Sequence, residues 1–142
     1  MKKDRKKRLR RIAEKREQRH NRRTRMQITV LKSKIHRATV TDANLEYVGS
    51  ITIDKALLKK SGMHPWEKVD VLNVNNGERL TTYIMPGKKG EICLNGAAAR
   101  KACVGDKVII VTYTTIDEKD ADSWQPKVVL LGEDNAIKGV KN

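Results

Sequence analysis

Short β-branched segments separated by turn signals constrain the fold of this chain more than any other feature. Residues 27–31 and 37–41 alternate between apolar and polar side chains and predict two strands. Asn75-Asn76-Gly77 lies between the alternating segments 68–74 and 78–85 and is the strongest hairpin signal. Further strands are predicted over residues 50–53, 91–94, 107–115 and 127–131. The chain is therefore predicted to be mainly β.

Two short helices interrupt the predicted strands. Asp54 is expected to cap a helix over residues 55–61, with Ala56, Leu57 and Leu58 facing inward and Gly62 ending it. A second helix is predicted over residues 97–103, and residues 117–123 predict an acidic helical turn. Residues 42–44 look like a turn, and residues 132–142 are expected to fray. This pattern favours a small, closed, mostly antiparallel β-barrel with short helices, with a β-sandwich as the alternative.

The basic character of the chain is concentrated at its start. The net charge is +14, and residues 1–25 hold 14 Lys and Arg against three acids. Residues 26–142 hold 17 basic and 14 acidic side chains, so their net charge is only +3. We expect a disordered basic extension over residues 1–25 and one domain over residues 26–142. The extension could bind nucleic acid or an anionic surface.

Several classes of protein and site are disfavoured. No apolar run approaches the roughly 18–20 residues that span a bilayer, so no membrane partner is expected. Cys93 and Cys103 lack metal-binding spacing and predict small buried side chains in a reducing cytoplasm. The three histidines show no metal-ligand spacing, so no metal is expected, and neither a G-x-S-x-G elbow nor a P-loop is present.

One set of motifs resembles the aspartate 1-decarboxylases, and the resemblance runs from Met26 to about Gly132. A Gly-Ser pair alone is usually only a turn, so the resemblance depends on its setting. The motifs are Gly49-Ser50 within residues 47–51, Lys34 to Arg37 upstream, and Arg79, Thr81-Thr82-Tyr83 and Asn95-Gly96-Ala97-Ala98-Ala99 downstream. The resemblance implies a double-psi β-barrel.

The resemblance implies that Ser50 is the precursor of a covalent pyruvoyl cofactor. Ser50 Oγ would attack the carbonyl of Gly49, and an N→O acyl shift, elimination and hydrolysis would leave the pyruvoyl group. That group would form a Schiff base with the substrate amine and accept the electron pair released with CO2. Gly49 suits cleavage because a residue without Cβ tolerates a distorted backbone and leaves its carbonyl open.

Two residues of the segment 81–83 match family positions at the reacting centre. Tyr83 would be the proton donor after CO2 leaves, since a phenol held within about 3 Å of the carbon can deliver a proton. Thr82 would donate a hydrogen bond to the oxyanion formed during cleavage and would contribute to substrate binding. The alternatives are a Tyr packed at a barrel rim and an ordinary strand threonine.

The remaining matches concern substrate binding. Arg79 and Lys34 would bind the carboxylates of aspartate, although in a chain this basic each could be a solvated strand residue. Gly96, Ala97 and Ala98 would form a shelf of small residues whose backbone N–H groups favour an anion, or simply a tight turn followed by helix formers.

Three further matches, His36, Tyr47 and Asn95, are supporting positions near the site in the family, or packing residues. The function implied is conversion of L-aspartate to β-alanine and CO2 for pantothenate synthesis, by a cytoplasmic homotetramer. The alternative is a basic β-barrel that binds nucleic acid, which the small charge of residues 26–142 disfavours.

Overall fold

The computed structural model describes residues 2–142, which divide into two compact units. One unit holds the residues up to Thr29 together with Thr115–Ser123, and the other holds Val30–Thr114 and Trp124–Asn142. The α-helices are α1 (Lys2–Thr24) and α2 (Lys55–Ser61), and three short 3₁₀ helices cover Gly96–Lys101, Glu118–Ser123 and Glu133–Asn135. The strands are β1 (Gln27–Thr39), β2 (Asp42–Asn44), β3 (Ser50–Asp54), β4 (Lys68–Asn73), β5 (Arg79–Gly87), β6 (Ile92–Asn95), β7 (Lys107–Asp117), β8 (Lys127–Leu131) and β9 (Ile137–Lys141).

The start of the chain forms helix α1, where the sequence analysis predicted a disordered extension. The helix has a physical basis in its residue types, because Arg, Lys, Glu, Gln and Ala favour helices and the segment contains neither Gly nor Pro. Arg10 and Glu14, one turn apart, form an ion pair at 2.9 Å. The predicted domain boundary at residue 26 stays a prediction.

The strands form one mixed sheet in the order β2-β6-β3-β5-β4-β7-β1-β8-β9. The mainly β prediction is confirmed. The sheet is less antiparallel than predicted, because β1 pairs with β8, β2 with β6, and β3 with β5 in parallel. The Asn75-Asn76-Gly77 hairpin is confirmed, with β4 antiparallel to β5 and Gly77 at a φ of 76°.

Strand β3 is fixed by the core on one of its two faces. Ile51 and Ile53 are fully buried, as are Ile84 of β5 and Ile92 and Leu94 of β6 on the flanking strands. Burying a side chain of this size stabilises the fold by about 1.5–3 kcal/mol. Because side chains alternate along a strand, Ser50 and Thr52 lie on the opposite face.

Strand β1 is continuous through the two segments that were predicted as separate strands. Ser33 and Ile35 are buried, and then the buried positions shift by one residue to Ala38 and Val40. Arg37 lies at this shift with a φ of 62°, a left-handed conformation that is uncommon for residues other than Gly. The resulting irregularity is typical of a β-bulge, which changes the face of a strand without ending it.

Helix α2 has the predicted bounds and caps. The Asp54 carboxylate accepts a hydrogen bond of 2.7 Å from the backbone N–H of Ala56, and Gly62 ends the helix in the left-handed conformation with a φ of 71°. Leu57 and Leu58 are buried as predicted, whereas the prediction for Ala56 is wrong because that side chain is exposed.

Three other local predictions are wrong. Residues 42–44, predicted as a turn, form β2 and pair with β6. The segment expected to fray contains β9, which pairs with β8. Cys103 is exposed, whereas Cys93 is buried as predicted. Among residues 2–142, no helix is both long and apolar enough to cross a membrane.

Candidate active site

Ser50 begins β3 and is 1% exposed, with β5 on one side of its strand and β6 on the other. Its hydroxyl accepts a hydrogen bond of 3.0 Å from the Asn95 amide nitrogen. It also donates to the carbonyl oxygen of Val48 at 3.4 Å. The nucleophilic atom is therefore buried and oriented by two partners, one on a neighbouring strand and one on its own loop.

Gly96 holds the backbone that precedes Ser50. Its φ is 60°, and a Cβ at this position would lie 2.7 Å from the Cα of Gly49 and 2.9 Å from the carbonyl oxygen of Tyr47. Only glycine allows both this conformation and so close an approach. Gly49 itself is less constrained, because a Cβ there would meet nothing nearer than the Asn95 carbonyl oxygen at 3.8 Å. The steric requirement for glycine thus lies at Gly96.

Tyr83 lies beside Ser50 on the same face of the sheet. Strands β3 and β5 are parallel with Ile51 opposite Ile84, so Ser50 and Tyr83 each lie one residue before this pair. Neighbouring strands are about 5 Å apart, which brings the phenol within reach of a group at Ser50. The ring stacks on Trp66 with the centroids 5.6 Å apart.

Thr82 precedes Tyr83 and therefore lies on the opposite face of β5. That face includes the fully buried Ile84, and Thr82 is itself half-buried opposite Val69 of β4. Within residues 2–142 its hydroxyl makes no side-chain hydrogen bond.

The two predicted carboxylate binders are distant from Ser50 in the strand order. Arg79 is exposed and lies four residues before Tyr83, which is about 13 Å along a strand. Lys34 is on β1, and the strands β7, β4 and β5 lie between β1 and β3 in the sheet. The chain thus groups Ser50, Gly49, Tyr83, Asn95 and Gly96, whereas Arg79 lies further along β5 and Lys34 lies on β1.

The other predicted site residues are distributed between the core and the surface. Ala98 is buried and Ala97 exposed in the 3₁₀ helix that follows Gly96. The Tyr47 side chain is 59% exposed, so its contact with Gly96 is made by its backbone. His36 lies on β1 opposite Leu130 of β8, and its Nδ1 is buried without a hydrogen-bond partner among residues 2–142.

The His36 imidazole lies in an unfavourable setting for a positive charge. Burial lowers its pKa below the ordinary value of 6.5, and the nearby charges of Lys34 and Arg37 lower the pKa further. His36 is therefore neutral at neutral pH and can act as a hydrogen-bonding group there rather than as a cation.

Sequence reasoning missed two residues whose side chains are hydrogen-bonded to Asn95. The second amide hydrogen of Asn95 is donated to Thr52 Oγ1 at 2.9 Å, and the Cys93 thiol donates to Asn95 Oδ1 at 3.2 Å. The sequence contained a signal for both residues. Thr52 lies two residues after Ser50 and Cys93 lies two residues before Asn95, and side chains two residues apart on a strand lie on the same face.

A cavity of about 1030 Å³ lies beside β3 and includes Thr52, Cys93 and Asn95 in its lining. The charged residues of the lining are of both signs: Asp42, Asp54, Lys55, Lys88, Lys89 and Glu91. Neither Arg79 nor Lys34 belongs to it. A substrate with two carboxylates needs a more positive pocket, so we do not assign this cavity to it.

Comparison with known proteins gives a consistent result. The family model for aspartate decarboxylase matches residues 26–138. A protein from Campylobacter hominis named aspartate 1-decarboxylase is 63% identical over 110 residues, which is 78% of this chain and 96% of the relative. Proteins of the same name from Carboxydothermus hydrogenoformans and Ralstonia pickettii are 59% and 56% identical, each over 82% of this chain and over 93% and 98% of the relative.

Proposed function

This chain belongs to the aspartate decarboxylase family and is a decarboxylase, and we propose that it converts L-aspartate to β-alanine and CO2 after cutting itself between Gly49 and Ser50. The β-alanine would supply pantothenate synthesis in the cytoplasm. The observation that carries the proposal is the buried Ser50 hydroxyl, which is held by Asn95 next to the backbone that Gly96 supports.

Cleavage begins with attack of Ser50 Oγ on the carbonyl carbon of Gly49. The C–N bond breaks, the nitrogen keeps the electron pair and takes a proton, and the glycyl group is left as an ester on Ser50. Loss of the Cα proton of Ser50 then breaks the Cβ–O bond and releases the Gly49 carboxylate. Water replaces the nitrogen, which leaves as ammonia, and a pyruvoyl group stands at position 50.

The residues around Ser50 fit this group. The Asn95 amide donates hydrogen bonds on the outer face of β3, where polar atoms of the group need partners. Gly96 leaves no side chain between this position and the preceding loop. Thr82, whose side chain lies on the face of β5 opposite to that of Tyr83, is proposed as a donor to the oxyanion from its family position alone; one such donor is typically worth about 3–4 kcal/mol.

In decarboxylation, the pyruvoyl group supplies an electron-withdrawing ketone that draws electrons from the substrate α-carbon as CO2 leaves. The chain's own residues do the rest. Tyr83, next to Ser50 on β5 and held by Trp66, returns a proton to that carbon. Arg79 and Lys34 bind the carboxylates as fixed cations, Arg79 through two parallel hydrogen bonds.

Arg79 lies about 13 Å along β5 from Tyr83, which supports a site that is completed by another subunit, and we propose a homotetramer. Apolar side chains near the cleavage corner and Tyr83 are exposed, with Tyr47 at 59%, Val48 at 74% and Trp66 at 70%. Apolar patches of this kind are typical of interfaces. Co-expression of Tyr83→Phe with Arg79→Gln tests the arrangement, since shared sites would restore activity that neither variant has alone.

The proposed cleavage is tested by intact mass and a denaturing gel. We expect a piece that ends at Gly49 and a piece of residues 50–142 whose N-terminus is blocked and lacks an amine. Ser50→Ala is expected to stay whole and inactive, while Ser61→Ala, which changes a buried serine of α2, is expected to be cut. Active protein with an intact chain and an ordinary Ser50 would refute the proposal.

A further inference from the structure

Four side chains on β3 and β6 form a continuous hydrogen-bonded group that we call the Asn95 cluster (Ser50, Thr52, Cys93 and Asn95). The Asn95 amide donates to Ser50 Oγ at 3.0 Å and to Thr52 Oγ1 at 2.9 Å, and its oxygen accepts from the Cys93 thiol at 3.2 Å. In the antiparallel register Ser50 lies opposite Asn95, and Thr52 lies opposite Cys93. All four side chains therefore lie side by side on one face of the sheet.

The Cys93 thiol favours one orientation of the Asn95 amide, because its nearer acceptor is Asn95 Oδ1 at 3.2 Å and its other acceptor, the Leu94 carbonyl oxygen, is 3.8 Å away. Ser50 gives its own proton to the Val48 carbonyl oxygen, so its Oγ needs a donor, and only the nitrogen end of Asn95 provides one. A reversed amide would direct its oxygen at Ser50 and its N–H groups at sulfur, which is a weak acceptor. A thiol donor on the oxygen side therefore favours the orientation that the structure has.

The thiol keeps its proton in this setting. Cys93 is 5% exposed, and burial raises its pKa, while the negative charges of Asp42 and Glu91 raise the pKa further. A protonated thiol is a donor, whereas a thiolate would accept hydrogen bonds and would favour the reversed amide. The mechanism described above does not otherwise use this residue.

We propose that Cys93 is a positioning residue for chain cleavage, acting through Asn95 to hold Ser50 Oγ next to the Gly49 carbonyl. The proposal rests on the proposed self-cleavage. Cys93 touches neither reacting atom, so its effect should be on the cleavage rate rather than on whether cleavage occurs.

Three variants test the role of the thiol proton. Cys93→Val keeps the approximate volume but removes the donor, and we expect cleavage about fivefold slower, the effect of one ordinary hydrogen bond. Cys93→Ser keeps a donor and should cleave within about twofold of the wild-type rate. Cys103→Val, at the exposed cysteine, is the control and should cleave normally. Rates come from gel densitometry of fresh protein, with Tm measured for each variant.

The possible outcomes separate the two proposals. Normal cleavage of Cys93→Val would overturn the proposed role of Cys93 but not the proposed self-cleavage. The same conclusion would follow if Cys93→Ser cleaved as slowly as Cys93→Val, because packing and not the donor would then determine the rate. Wild-type protein that stays whole would overturn both proposals. Slow cleavage of the Val variant with an unchanged Tm and rescue by Ser would support the role of the thiol.

Helix α1 carries a second, independent inference because it lies before the region that the decarboxylase family model matches. Residues 3–22 contain 11 Lys and Arg against three acids, and their side chains are exposed. At 100° per residue these basic residues point in every direction around the helix, with no gap wider than about 80°. The only large apolar residues between them are Leu9 and Ile12.

We infer that α1 binds the phosphate backbones of duplex DNA. A bilayer surface contacts only one side of a helix and requires an apolar face, which two residues do not provide. A groove has phosphates on both sides, and the B-form major groove is wide enough for an α-helix. The 23 residues span about 34 Å, which is close to one turn of the duplex. The lack of aromatic residues in the helix disfavours a single strand.

The test uses the full chain and a labelled 20-base-pair DNA duplex, with fluorescence anisotropy over a range of salt concentrations. One variant replaces four basic residues of α1 by Gln: Arg5, Arg8, Arg16 and Arg19. It should bind more weakly, and the slope of log K against log salt should become shallower by about 3.6 if all four contact phosphates. The matched control replaces four exposed lysines of the other unit by Gln: Lys55, Lys59, Lys60 and Lys88. This variant should bind the duplex almost as tightly as the wild type.

The inference would be overturned by several results. These are no binding to the duplex at low salt, equal loss of binding in both variants, and tighter binding to anionic lipid vesicles or to duplex RNA than to DNA. Decarboxylase activity should be unchanged in both four-residue variants, since none of the eight positions lies in the proposed active site.

Discussion

Replacing Gly96 by Ala tests whether the backbone before Ser50 must be held where it is. Two costs are expected. A φ of 60° costs a residue with a Cβ about 1–2 kcal/mol. The new Cβ would also lie 2.7 Å from the Cα of Gly49, and an ordinary contact of at least 3.4 Å requires the two segments to separate by 0.7 Å.

The separation should affect cleavage more than stability. A misplacement of about 1 Å between reacting groups can cost about 100-fold in rate, so we expect Gly96→Ala to cleave about 10–100-fold more slowly. The backbone strain alone should lower Tm by several degrees for a chain of this size.

A matched control separates the two costs. Gly77 has a φ of 76°, and a Cβ there would meet nothing within 4 Å, so Gly77→Ala bears the conformational cost without the collision. Gly77→Ala should lose only the stability that the backbone strain costs, Gly96→Ala should lose more because of the collision, and only Gly96→Ala should cleave slowly. Cleavage is followed on denaturing gels from freshly purified protein at a temperature where all variants are folded. If the two variants cleave at the same rate, the reasoning about Gly96 is refuted.

Three further predictions concern other parts of the chain. Tyr83→Phe keeps the ring that stacks on Trp66, so we expect normal cleavage. Decarboxylation, measured as β-alanine formed, should be at least about 100-fold slower, and near-normal turnover would contradict the proton-donor role of Tyr83. The pKa of His36 is lowered in the folded state, so the unfolded chain binds more protons than the folded chain below about pH 6.5. The free energy of unfolding should therefore fall as the pH falls below about 6.5, and His36→Gln should reduce this dependence in denaturant titrations. Asp54→Ala removes the cap at Ala56 and also the hydrogen bond of 2.8 Å that the second carboxylate oxygen accepts from the Gly90 backbone N–H, so it should cost about 2 kcal/mol. Asp54→Asn keeps one acceptor oxygen and should cost about half as much; equal losses in both would show that the carboxylate charge matters more than the cap.

The sequence predicted those elements whose signals are local. Helix α2 was placed to the residue because Asp54 and Gly62 mark its ends, and the Asn75-Asn76-Gly77 hairpin because a tight turn determines its own register. The parallel pairing of β3 with β5 was not predicted, because it joins segments far apart in the chain and depends on burial of the isoleucines on both strands. Strand β2 was missed for the same reason.

The candidate site divides along similar lines. Resemblance to a family identified Ser50, Tyr83, Asn95 and Gly96, and the structure brings these residues together. The resemblance could not reveal why residue 96 must be glycine, because that depends on the close approach of Gly96 to the backbone of Gly49. Cys93 was interpreted only as a small buried residue, since its hydrogen bond to Asn95 depends on side-chain orientation.

The position of β1 in the sheet determines what a backbone break before Ser50 does to the molecule. Strand β1 lies between β7 and β8, and β2 pairs with β6, so both strands of the N-terminal piece are paired with strands of the C-terminal piece. The cut protein should remain assembled, but its unfolding becomes the dissociation of two chains. Its melting temperature should then rise with protein concentration by an additional mass-action contribution that uncut Ser50→Ala protein lacks.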